Sequence, residues 1–184
     1  VPPDPTLGPE LDAATIVAAL ARHRVSYVLI GGLAAIAQGS PFPTVDIDVT
    51  PAKDAENLSR LSDALRELDA KVRAEGVKEG LPFSHDATSL AAVGVWNLRT
   101  PHGDLDISFV PTGTRGYDDL VQDARATDLH GVAVVVASLA DIVRSKQAAN
   151  RPKDQRVLPT LREILASRYD RRQQTDSGAG APRR

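Results

Sequence analysis

The stretch Tyr27–Thr50, YVLIGGLAAIAQGSPFPTVDIDVT, carries two acids at a spacing that needs an explanation. In Val45-Asp46-Ile47-Asp48-Val49 the apolar residues alternate with the aspartates. On a strand, Val45, Ile47 and Val49 then face one way and both carboxylates the other. Two carboxylates on one face repel each other unless a cation lies between them. A third acid, Asp106, has the same setting in Leu105-Asp106-Ile107. Three carboxylates on adjacent strands suit Mg²⁺, which takes oxygen ligands and leaves positions for water and phosphate oxygens. Two such ions can align an attacking hydroxyl and stabilise a leaving pyrophosphate. Gly31 and Gly32, at the end of the preceding apolar run, let the backbone turn sharply and approach a ligand closely.

These residues must be positioned by the elements around them. Val25–Ile30 reads as a buried strand, with the glycine pair opening a short helix of Leu33, Ala34, Ala35, Ile36 and Ala37 that ends at Gly39. Pro41 and Pro43 mark a turn into the aspartate strand, Thr44–Thr50. The spacing of Leu11, Ile16, Val17 and Leu20 predicts a helix over Glu10–His23, and Leu58, Leu61, Leu65 and Leu68 predict another from Asp54 to about Ala70. Lys71–Leu81 reads as a short strand and loop. Val93–Thr100 and Asp104–Val110, joined by Pro101-His102-Gly103, read as a hairpin. In it Asp104 is a solvated turn residue and Trp96 a core residue. Tyr117–Ala126 is expected to be helical and Val132–Val136 a strand. Ser138 caps a helix over Leu139–Ala149, and Pro152 starts another through about Ser167. The resulting division is a flexible N-terminus (1–9), an α/β core with a mixed sheet (10–136), a C-terminal helical part (137–168) and a disordered tail (169–184).

A chain of 184 residues with 42% apolar and 25% charged residues suits one ordinary globular domain. The net charge of −2 conceals a basic segment, Arg144–Arg172, which suits either a polyanion or a solvated helix face. There are no cysteines, which excludes disulfides and thiolate metal sites and fits a cytoplasmic location. No apolar run approaches the ~20 residues that span a bilayer. The proline-rich start has neither the basic nor the apolar region of a signal peptide.

The glycine pair, the helix, T-x-D-x-D on the next strand and a later apolar-Asp-apolar triplet together resemble the nucleotidyltransferase fold of the DNA polymerase β superfamily. Within it, the chain from about Val25 to Leu165 resembles the toxin nucleotidyltransferases of toxin–antitoxin systems, the MenT-like and AbiE-type proteins. The resemblance implies that Asp46 and Asp48 are paired metal ligands and that Asp106 is the third carboxylate, helping to activate the attacking hydroxyl. It implies one or two Mg²⁺ ions, an NTP donor, a tRNA 3′ end as acceptor and an antitoxin protein as partner. Gly31 and Gly32 correspond to the start of the phosphate-cradling loop. Lys146 corresponds to a lysine that contacts the triphosphate, with Asp154 either orienting it or pairing with Arg151 or Arg156. Many members have Gly-Ser where this chain has Gly31-Gly32, leaving Ser40 or Thr44 to supply the hydroxyl. Two alternatives share the fold: an enzyme that nucleotidylates a protein hydroxyl, and a silent module that binds nucleotide or a partner.

Overall fold

Ile47 and Val49 are almost completely buried, and this burial fixes the face of strand β2 (Asp46–Pro51) on which Asp46 and Asp48 are left. Each such apolar side chain contributes roughly 1.5–3 kcal/mol on leaving water. A one-residue slip would exchange the two faces. The computed structural model of the protein describes residues 9–178.

Strand β2 is flanked by β1 (Tyr27–Ile30), antiparallel, and β6 (Gly103–Ser108), parallel. The remaining strands are β3 (Lys71–Ala74), β4 (Val77–Leu81), β5 (Val95–Thr100), β7 (Arg125–Leu129) and β8 (Val132–Val136). Together they form an eight-stranded mixed sheet in the order β4-β3-β5-β6-β2-β1-β8-β7. The register sets Asp46 opposite Asp104 and Asp48 opposite Asp106, while Asp48 faces Ile30 on its other side.

The buried sheet residues Ile47, Leu98, Leu105 and Ile107 share one core with Ile16, Val17 and Leu20 of α1 (Ala13–Arg22) and with Leu58, Leu61 and Leu65 of α3 (Ala55–Glu67). Asn57 of α3 fastens β1 and β2 at one end. Its Oδ1 accepts from the Ser26 N–H at 2.7 Å, and its Nδ2 donates to the carbonyls of Ser26 and Ala52, each at 2.9 Å. On the aspartate side, α2 (Gly31–Ala37) packs against β1, β2 and α6 (Leu139–Ala149). α6 is capped by Ser138 and packs on α7 (Pro152–Gly178).

Several elements differ from the sequence reading. Val45 is 71% exposed and precedes β2, so it does not share the buried row with Ile47 and Val49. Lys71–Leu81 is a complete hairpin, β3–β4. A short helix, α4 (Ala87–Ala92), starts at the Asp86–Ser89 capping box. The expected helix over Tyr117–Ala126 is a single turn, α5 (Tyr117–Leu120), followed by β7. That edge strand is held by backbone pairing with β8 across the His130-Gly131 turn, where both φ angles are positive (55° and 83°). Its largely exposed side chains carry no apolar alternation.

α7 continues to Gly178, so residues 169–178, expected to be disordered, are helical. The run Arg171, Arg172, Gln173, Gln174 favours helix and contains no breaker. Residues 179–184 and the expected flexible stretch 1–8 lie outside the described residues.

Candidate active site

The register of β2 and β6 brings Asp46, Asp48 and Asp106 together. One carboxylate oxygen from each lies within 4.8 Å of the other two, and all three residues are half-buried. Burial, then the neighbouring charges of Asp46 and Asp106, push the Asp48 carboxyl up to about 7 against the opposing Lys153 and Lys146. Burial also raises Asp106, although Arg73 opposes it. A cluster of oxygen donors this close, with no sulfur or imidazole among them, fits a hard divalent cation.

Gly31 opens α2 directly over the triad. Its φ is +69°, and a Cβ there would run into the Asp48 carboxylate, so only glycine fits. Gly32 is constrained by its neighbour instead: a Cβ would lie 2.5 Å from Thr44 Oγ1. The Thr44 hydroxyl donates to Asp46 Oδ1 at 2.8 Å. Ser40 Oγ accepts from the Phe42 N–H at 3.3 Å.

The triad lines a cavity of about 540 Å³ that also includes Gly31, Gly32, Ser40, Thr44, Lys146 of α6, Lys153 of α7 and Arg151 between the two helices. Asp154 lies behind these cations and is fully buried. It accepts from Arg151 Nε at 2.7 Å and from Lys146 Nζ at 3.3 Å. Burial works against its charge, yet Arg151 and Lys146 hold it below the usual carboxylate range. The cavity thus has an acidic floor and a basic wall. All the residues singled out in the sequence for metal and phosphate contact lie in it or, as with Asp154, support it.

Sequence reasoning missed Arg73. From β3 its Nη2 donates to both oxygens of Asp106, at 2.6 and 2.9 Å, and its Nη1 donates to Asp104 at 2.9 Å. Asp104 is therefore not a solvated turn residue. Its side chain is 13% exposed and is also gripped by Arg99 at 2.8 and 3.0 Å. Arg73 carries no local signal, because the contact spans 33 residues and depends on the β3–β5–β6 order.

The basic segment is less available than its sequence suggests. Arg144 pairs with Asp119 and Asp141, and Lys146 and Arg151 with Asp154. Arg168 donates to Gln38 Oε1 at 2.6 Å and to the Gln38 carbonyl at 2.7 Å, which ties α7 to the end of α2. His85 pairs through Nδ1 with Ser62 Oγ at 2.8 Å, away from the triad. Trp96 is partly buried against the core and donates to the Leu90 carbonyl at 3.2 Å.

No protein-family model matches the chain, and no curated protein matches it. Solved structures do. The lincosamide antibiotic adenylyltransferase LnuA, solved with lincomycin bound, is 16% identical with a TM-score of 0.55, over 83% of this chain and 95% of that one. The antibiotic-resistance factor ANT(2″)-Ia is 17% identical with a TM-score of 0.49, over 90% and 95%. An antigenic nucleotidyltransferase-like protein from Paracoccidioides brasiliensis is 19% identical with a TM-score of 0.45, over 91% of each chain. The mixed sheet, its flanking helices and the likeness to LnuA define a nucleotidyltransferase fold.

Proposed function

We propose that this protein is a nucleotidyltransferase that moves a nucleoside monophosphate from an NTP to an acceptor hydroxyl. The carrying observation is the cluster of three carboxylates, with one oxygen of each within 4.8 Å of the others, in a cavity also lined by Lys146, Arg151 and Lys153. In the reaction the acceptor oxygen bonds to the α-phosphorus, the bond from phosphorus to the bridging oxygen breaks, and pyrophosphate leaves. Asp46, Asp48 and Asp106 would hold Mg²⁺, which supplies charge neutralisation at the phosphates and a lowered pKa for a bound hydroxyl.

The other residues act on the nucleotide. Lys146, Arg151 and Lys153 attract the β- and γ-phosphates, and Asp154 keeps the first two in place. Gly31 and Gly32 let the backbone approach the phosphates, and Thr44 or Ser40 offers the hydroxyl that a serine after Gly31 would provide. Asp106 receives the acceptor's proton.

The resemblance of the sequence to toxin nucleotidyltransferases makes the tRNA 3′ end the acceptor in this reading. The protein then works in the cytoplasm as a toxin restrained by an antitoxin partner. Among the described residues no helix is long and apolar enough to cross a membrane. A small hydroxylated molecule is the second reading, favoured by the likeness to LnuA. Transfer to a protein hydroxyl follows from the same geometry with a different acceptor.

The test is incubation with each of four α-labelled NTPs and Mg²⁺, offered small RNA, total protein and hydroxylated small molecules in turn. Asp46→Asn and Asp48→Asn serve as controls. Label in one pool, lost in both variants, identifies acceptor and nucleotide together. A folded wild type that labels none of the pools removes the catalytic reading and leaves a binding module.

A further inference from the structure

Arg151 acts on Asp46 and Asp48 through its charge alone, whereas Asp106 is gripped on both oxygens by hydrogen bonds from Arg73. The grip comes from a distance. Arg73 lies on β3, which is separated from β6 by β5, and its side chain is only 30% exposed. Arg73 is itself held: Nη1 is anchored on Asp104, which is fixed in turn by Arg99. Arg99 Nη1 ends the chain on the Lys78 carbonyl of β4 at 2.7 Å. Four alternating charges therefore connect the outer hairpin of the sheet to the third acid of the triad.

This arrangement has two consequences for Asp106. The paired bonds from Arg73 fix the rotation of the Asp106 carboxylate, and so the oxygen it turns toward an acceptor hydroxyl, whereas a bound cation would by itself draw an ungripped carboxylate into the cluster. A carboxylate accepts about four hydrogen bonds or ligands in all, so two bonds from Arg73 leave it able to face the shared site. The guanidinium also places a fixed positive charge beside the cluster, which weakens its hold on any added cation.

We infer that Arg73 is the positioning residue of the site, setting both the orientation of Asp106 and the affinity of the triad for a divalent cation. The inference rests on the proposed metal-dependent transfer, and the two effects are separable because they respond differently to charge and to geometry. Arg73→Ala removes both. Arg73→Lys keeps the charge and loses the planar two-point grip.

The probe is Mn²⁺ alone, titrated into the full chain without nucleotide and followed by electron paramagnetic resonance, with thermal melting to establish folding. Arg73→Ala is expected to bind Mn²⁺ about 3- to 10-fold more tightly, the order produced by removing one charge from a partly hydrated site. Its kcat in the transfer assay is expected to fall roughly 10- to 100-fold, as when the partner of a metal ligand is lost. Arg73→Lys is expected to return Mn²⁺ affinity to within about twofold of wild type while kcat stays low.

A folded Arg73→Ala that binds Mn²⁺ no more tightly than wild type overturns the inference, as does an Arg73→Lys with full kcat. If wild-type Mn²⁺ binding is absent, or persists in both Asp48→Asn and Asp106→Asn, the metal reading itself falls. If that binding depends on the triad but ignores Arg73, only the present inference falls.

Discussion

Thr44 Oγ1 lies 2.5 Å from the point where a Cβ on Gly32 would stand, so these two residues compete for one volume. Thr44 fills the room that a serine after Gly31 would need. Gly32→Ser alone should therefore lower nucleotide transfer and thermal stability. Adding Thr44→Gly, which also removes the Thr44 Cβ that would stand 2.8 Å away, should bring the double variant back above the Gly32→Ser single. A double-mutant cycle should give a coupling of about 0.5–3 kcal/mol. Additive effects in the cycle would show that the positions do not compete.

Gly31 and Gly39 both have positive φ, +69° and +96°, but only at Gly31 would a Cβ meet the Asp48 carboxylate. Each alanine substitution should cost about 1–2 kcal/mol for the backbone alone. Gly31→Ala should in addition lose Mn²⁺ binding and transfer, while Gly39→Ala keeps Mn²⁺ binding. Equal Mn²⁺ affinity in the two variants would contradict the close approach of Gly31 to Asp48.

Asp48 makes stability depend on pH in a particular direction. Its folded pKa, near 7, exceeds the unfolded value of about 3.9. Between these values the folded protein retains a proton that the unfolded chain has released, so this group lowers stability as pH rises from about 4 to 7. In EDTA at pH 8, Asp48→Asn should be more stable than wild type by about 2 kcal/mol, or roughly 4–8 °C in Tm. The difference should vanish near pH 3, and Mg²⁺ should raise the Tm of the wild type alone. A melting series from pH 3 to pH 8 checks both signs.

Asp154 has the opposite dependence. Its folded pKa is lowered, so its contribution is present above the unfolded value and is lost as pH falls through the folded one. Asp154→Ala leaves two cations without their buried partner and should cost on the order of 3 kcal/mol at pH 7. The penalty should shrink as pH falls below the unfolded value of about 3.9. Because Lys146 is released, KM for the nucleotide should rise more than kcat falls. A change confined to kcat would place Asp154 outside phosphate binding.

The sequence carried the site where its chemistry is local. Asp46, Asp48 and Asp106 adjoin Ile47, Val49, Leu105 and Ile107, which are buried, so alternation put all three on polar faces even though Val45 is exposed. The glycine pair and the Ser138 cap are equally local. Arg73 and Asp104 were illegible for a common reason: their roles arise across strands, between residues distant in sequence or, for Asp104, disguised by the adjoining turn. The β7 strand and the helical continuation beyond Tyr169 failed differently. Neither has an apolar pattern to announce it, since backbone pairing holds one and helix propensity continues the other.

The fastening of Arg168 to Gln38 spans 130 residues, and it sets an order in time. A chain growing at about 5–20 residues per second has made all three acids several seconds before Arg168 is added. During that interval α7 cannot close on α2, and for much of it Lys146, Arg151 and Lys153 do not yet exist. The carboxylate half of the site is synthesised first and the basic half last. A nascent chain therefore carries the acids before the basic side of the cleft exists, and the cavity lining is assembled only after Lys153 has been added.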